Sequence, residues 1–177
     1  MRSMKSNRNN GVVGFIGLLL CLPMLGLASG RIYTNVVFDI NCVDRIKRAA
    51  DANTVELAKT ELEAVVAYLE KTDRTQGYTS VLWKTPSEDV GFWFNNLKTS
   101  LEELKALPAT ASPLEKSNML LKLRETLIDH NKNGDEVTMP DGVSRFPNNM
   151  LWFVLGVVFG FLGVIGSFCL YGFFIKV

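Results

Sequence analysis

One stretch of this chain has residue types and a spacing that suit chemistry: Asp129-His130-Asn131-Lys132-Asn133-Gly134-Asp135. Oxygen-bearing side chains alternate, and a glycine follows the third of them. In a tight turn, alternate residues aim their oxygens at one point and glycine allows the bend, which is how a protein holds a hard dication such as calcium. The candidate metal ligands are therefore Asp129, Asn131, Asn133 and Asp135. The same residues also suit a polar helix terminus with Gly134 in the left-handed conformation and His130 placed for the helix dipole. His130 is the single histidine, so no histidine cluster for zinc or iron can form. No Ser/His/Asp set and no phosphate-cradling glycine loop is present, and the chain is expected not to be an enzyme.

The Asp129–Asp135 spacing resembles the first half of an EF-hand calcium loop. The likeness covers only those positions. Pro140 stands where the bidentate glutamate of that family would be, and no exit helix is expected after it. The resemblance implies a calcium site of the low-affinity kind found in extracellular modules, and no other cofactor.

The elements that must position these residues are set by two apolar runs. Residues 11–30 and 150–175 are each long enough to cross a bilayer core, which takes about 20 apolar residues in a helix. The expected organisation is a basic tail over 1–10, a transmembrane helix or uncleaved signal anchor over 11–30, an extracytoplasmic helical domain over 31–149, a second transmembrane helix over 150–175, and a short end at 176–177. All eighteen acids fall in the middle segment. Of the nineteen Lys and Arg, Arg2, Lys5, Arg8 and Lys176 fall outside it, so the middle carries fifteen bases against eighteen acids, a net −3. That balance disfavours nucleic acid as a partner. The acid-free basic tail predicts a two-pass protein of the plasma or inner membrane, with both termini cytoplasmic. A cleavable signal peptide ending near Ala28-Ser29-Gly30 is the competing reading of the first run. The cysteines make no framework: Cys21 and Cys169 fall in the spans and Cys42 outside, as a small buried residue or an interchain thiol.

The middle segment reads as an antiparallel helical bundle, so the fold class is all-α. Ile40, Ala58, Leu62, Val65 and Leu69 share one stripe at 100° per residue, with Val36, Val43 and Ala50 on its shoulder. A single helix out of the first span fits this, and so does a break at Asp51-Ala52-Asn53-Thr54. Tyr78–Pro86 has strand-like composition but stands alone, and is expected as the loop at the far tip. Ser87 is expected to cap a helix whose apolar face is Val90, Phe94, Leu97, Leu101 and Leu104, stopped by Pro108. Ser112-Pro113-Leu114-Glu115 is a capping box opening another helix, whose buried side is Leu120, Leu123 and Leu127 with Leu121 and Ile128. Residues 131–149 form a polar connector back to the membrane. Glu61 with Glu63, and Glu102 with Glu103, read as solvated helix charges.

Two features suit binding. Gly156, Gly160 and Gly163 recur along the second span, continued by Gly166, and Gly11, Gly14 and Gly17 repeat the theme in the first. Small residues let helix backbones approach closely in lipid, so these glycines are candidates for helix packing, against the chain itself, a second copy or another protein. Trp83, Phe92 and Trp93 are candidate partner contacts. The run Phe92-Trp93-Phe94 cannot place every ring on one core face, because successive residues point 100° apart.

These features fit a non-catalytic accessory or assembly subunit whose partners are the bilayer and a membrane protein or a second copy. The alternative is a sensor-like ectodomain that binds a small ligand or calcium. The two-span layout with an outer helical bundle is similar to the input half of bacterial chemoreceptors and sensor kinases. Those proteins continue into a cytoplasmic output domain, and none follows Lys176-Val177, so any signal is expected to pass laterally through a partner.

Overall fold

The protein, seen in a computed structural model, is described over residues 2–131 and 134–176. Helix α1 (Arg2–Phe38) runs through a π turn at Asp39–Val43 into α2 (Asp44–Ala50). The helix does continue out of the first apolar run, and it stops at the polar residues 51–54. There Thr54, in extended conformation, caps α3 (Val55–Lys71) by accepting the Leu57 amide at 3.3 Å. Two helices therefore occupy 36–70. Ala58, Leu62, Val65 and Leu69 are buried as the stripe predicts, and so are Val43 and Ala50 on its shoulder, but Ile40 and Val36 are exposed, and the buried set before the break is Phe38, Cys42, Val43, Ile46, Ala49 and Ala50. A constant 100° step fails here because the π turn adds a residue to one turn and the break resets the phase.

A loop from Thr72 leads through a short 3-10 turn at Pro86–Glu88 to α4 (Val90–Ala106). Its cap is Asp89, whose Oδ1 accepts the Phe92 amide at 3.0 Å, and not Ser87, which lies in the 3-10 turn. The stripe Val90, Phe94, Leu97, Leu101 and Leu104 is buried as expected. Helix α5 (Pro113–Leu127) opens with the predicted capping box: Ser112 Oγ accepts the Glu115 amide at 3.2 Å, and the Glu115 carboxylate accepts the Ser112 amide at 2.7 Å. Leu123, Leu127 and Ile128 are buried, whereas Leu121 faces solvent. The chain then makes a two-stranded antiparallel hairpin, β1 (Ile128–Asn131) with β2 (Gly134–Val137). It ends in α6 (Asn149–Lys176).

Two compact units result: residues Met1–Tyr33 with Met150–Val177, and Thr34–Asn149. In the second unit α3 packs against α2, α4 and α5, and α5 closes on α2 and α4 around one apolar core. In the first unit both helices are long and apolar enough to cross a membrane, and only 11% of each most apolar stretch is buried. A helix forming the core of a soluble protein would be mostly buried, so these helices leave their large side chains facing outward.

Candidate functional site

In the first unit, glycine sets how closely two helices approach. A methyl placed on Gly166 would stand 2.7 Å from the Gly17 carbonyl oxygen, and one on Gly17 would stand 2.9 Å from the Gly166 carbonyl oxygen. Neither backbone can yield as a side chain would, so both positions require glycine. On either side, Gly14 receives the Phe173 ring and Gly163 receives Met24. At the other end of the pair, Gly156 makes room for the Arg31 guanidinium, whose Nη2 donates to the Trp152 carbonyl at 3.2 Å. Across the seam the Gly163 carbonyl accepts Cys21 Sγ at 3.9 Å, and within its own helix it also accepts Ser167 Oγ at 2.8 Å.

Gly156 and Gly163 thus each face a side chain of the chain's own other helix, Arg31 and Met24. Gly160 does not: a methyl there would meet nothing within 4 Å. It lines an open apolar groove of about 590 Å³ together with Cys21, Met24, Gly163, Phe168 and Tyr171. The closest approach falls instead at Gly17 and Gly166. Their three-residue spacing pattern was visible, but sequence spacing alone does not tell which glycine of a series meets the other helix.

The residues with calcium-loop spacing lie on the hairpin. Asp129 pairs with Glu136, His130 with Asp135 and Asn131 with Gly134. Neighbouring strand residues point to opposite faces, so Asp129 shares a face with Glu136, and Asp135 shares the other with His130. Asp135 already has partners within the chain: its Oδ1 lies 2.7 Å from His130 Nδ1 and its Oδ2 accepts Arg124 Nη2 at 3.2 Å. The His130 hydrogen bond first, then the electrostatic pull of His130 and the Arg124 hydrogen bond and charge, hold the Asp135 carboxyl below its usual range. Asn133 lies outside the described residues. Among the described residues no group of three or more His, Cys, Asp or Glu is placed to hold a metal ion. His130 sits on a strand and not at a helix terminus, since α5 ends at Leu127.

Trp83 and Phe92 are exposed, at 75% and 65%, but Trp93 is buried at 5% and is no surface contact. Its indole Nε1 donates to the Thr138 carbonyl at 2.8 Å, fastening the end of the hairpin to α4. Helical phase separates the three rings: Trp93 and Phe94 share the core side, and Phe92 is left outside.

Arg74 organises one end of the second unit, a role that sequence reasoning missed. Its Nε donates to the Val143 carbonyl at 3.2 Å and its Nη2 to the Ser144 carbonyl at 3.1 Å. The guanidinium lies 5.6 Å from the Phe38 ring centre and 6.0 Å from that of Tyr68. Burial raises the Tyr68 pKa, partly offset by the Arg74 charge. Around this cation, Ser144 Oγ donates to Asn35 Oδ1 at 2.7 Å, and Asn149 Nδ2 donates to the Thr79 carbonyl at 2.7 Å. Residues 35, 74, 79, 144 and 149 therefore gather at one end, where the chain enters and leaves this unit. The Tyr78–Pro86 loop consequently roots there and not at a far tip. It is not a strand, although Tyr78 forms one isolated bridge with Asp89.

Glu61 is likewise not a solvated charge. It is 8% exposed and accepts Arg45 at 3.0 Å and Arg48 at 2.6 Å, both on α2. Glu63 pairs with Lys105 at 2.9 Å, and that bond lowers its pKa. Cys42 is fully buried in the core, as its small apolar character suggests. No protein-family model, curated protein or solved structure matches the chain.

Proposed function

We propose that the chain is a non-catalytic, two-pass integral membrane protein that serves as an accessory or assembly subunit, and that it receives a partner transmembrane helix in the groove at Gly160. In this reading the basic tail with Arg2, Lys5 and Arg8 stays on the cytoplasmic side and residues 31–149 lie outside. The observation that carries it is the division of labour among the glycines. Gly17 and Gly166 are used up by the chain's own helix pair, whereas Gly160 opens onto an apolar groove where an added methyl would meet nothing within 4 Å. In lipid, association gains from close van der Waals packing, and an unfilled small-residue groove is the surface that a further helix packs against.

The test compares native-gel mobility of the full chain extracted from its own membranes with that of Gly160→Leu. The Cβ of a residue at 160 meets nothing within 4 Å, and Gly160→Ala, which adds only that methyl, is the control expected to leave the complex intact. The expected result for Gly160→Leu is loss of a complex larger than the chain. A Gly160→Leu complex of unchanged size rejects the groove as the assembly surface.

A further inference from the structure

We propose that the tip of the Thr79–Glu88 loop, Leu82-Trp83-Lys84, inserts into the headgroup layer of the bilayer as an interfacial anchor for the outer bundle. The occupant of this surface is lipid and not protein. The inference rests on α6 spanning a membrane, and is independent of what fills the Gly160 groove.

Placement carries the argument. The Thr79 carbonyl accepts the Asn149 side-chain amide at 2.7 Å, and Asn149 is the first residue of α6, followed at once by Met150, Leu151 and Trp152. Trp83 is four residues along the chain from Thr79. An extended chain covers at most about 3.6 Å per residue, so the Trp83 backbone lies within roughly 14 Å of the Thr79 backbone. The headgroup layer on each side of a bilayer is about 5–8 Å thick, so the tip has the reach to meet it.

The root of the loop is closed and fixed. The Thr79 amide donates to the Glu88 carbonyl at 3.0 Å, and the Val90 amide donates to the Gly77 carbonyl at 2.9 Å. A methyl on Gly77, which has a positive φ of 107°, would stand 3.0 Å from the Phe146 ring. Nothing in the bundle covers the tip: Leu82 is 68% exposed and Trp83 75% exposed. Two large apolar residues held out side by side from a fixed base need a partner surface.

Charge and side-chain type identify that surface. No acid lies between Asp73 and Glu88 although the middle segment as a whole is acidic, and the tip carries Lys84. Lys84 Nζ sits 5.2 Å from the Tyr78 ring centre, so the residue that follows Trp83 in the chain carries its cation against a phenol. Trp, Tyr and Lys in one short loop, with one leucine, is the composition of an interfacial belt: the rings sit at headgroup depth and the ammonium meets phosphate.

The experiment uses the full chain carrying Trp152→Phe, reconstituted in phosphatidylcholine–phosphatidylglycerol vesicles and purified by flotation. Trp93 remains as an internal reference buried in the bundle. Expected is a blue-shifted emission component that lipids with a nitroxide near the headgroup quench several-fold more than aqueous iodide does. That component disappears in Trp83→Ala, which leaves the core untouched because the Trp83 side chain is 75% exposed. Lys84→Glu is expected to shift the component toward the red in the anionic vesicles. If floated protein shows Trp83 emission that iodide quenches and lipid nitroxides do not, the anchor is rejected while the membrane-spanning reading stands. Shielding of Trp83 only in native membranes, and not in these vesicles, rejects lipid in favour of a protein partner. Failure to float rejects the spanning reading on which the anchor rests.

Discussion

The two units of this chain are both built from helices, yet they invert one another's surfaces. In residues 34–149 the large apolar side chains point inward: Phe38, Ile46, Leu62, Leu69, Leu97 and Leu127 are all buried, and charges such as Lys122 and Glu103 pair on the outside. In the two apolar helices the small residues point inward, at Gly17 and Gly166, while Phe15, Leu25, Phe161 and Phe168 point out. Water drives the first arrangement, because removing apolar area from it is favourable. Lipid offers no such gain, so the second is set by how closely backbones can approach. The same helix thus follows opposite packing rules along its length: α1 enters as a membrane-type helix and continues as α2, which is a core element of the bundle.

That contrast can be broken first where backbone meets backbone. Gly166→Leu puts a Cβ 2.7 Å from the Gly17 carbonyl oxygen and 2.9 Å from Cys21 Sγ, so the helix pair should part, and in a Cys169→Ser background native Cys21 should react several-fold faster with a membrane-permeant thiol reagent in intact membranes. Unchanged Cys21 reactivity would mean that glycine does not control the pairing. In the other unit the largest effect comes from deleting volume. Leu97→Ala should cost about 2–5 kcal/mol in denaturant unfolding of the full chain in mild detergent, while leaving the Cys21 reactivity unchanged. A coupled change in both would merge the two packing regimes into one.

The smallest effect sharpens the same boundary. Ser112→Ala should lower bundle stability by about 1 kcal/mol, the usual worth of an N-cap. The Glu115 carboxyl of that box is held below its ordinary value by the Ser112 amide and hydroxyl. Its contribution is therefore complete above the ordinary glutamate range and is lost as pH falls through the lowered value. The gap between wild type and Glu115→Gln should accordingly narrow as pH falls below the ordinary glutamate range, measured as denaturant midpoints. A gap that widens on acidification would contradict the box.

What the sequence made legible was local. The Ser112–Glu115 cap, the α4 stripe and the two apolar runs depend only on neighbours in the chain, and each is found where the residues place it. The bundle's other features depend on distant partners. Nothing near Glu61 announces that two arginines sixteen and thirteen positions earlier will enclose it. Nothing near Asp129 announces that the helix ends at Leu127 and a hairpin begins, because Ile128 and Val137 are drawn together by burial against the core. The Tyr78–Pro86 loop was misplaced for the same reason: its position is decided by Asn149, seventy residues away from Thr79. The candidate site was therefore visible as residue types, in the glycine series and Trp83, and invisible as an arrangement.

Arg74 has a further consequence for how this chain can vary. It grips the connector through the main-chain oxygens of Val143 and Ser144 and not through their side chains. Carbonyls are common to every residue type, so the clamp is blind to the identity of what it holds. Divergent versions of this protein are therefore expected to retain a planar, five-donor cation at 74, for which lysine is no substitute, even where the Ser144 hydroxyl bond to Asn35 is lost.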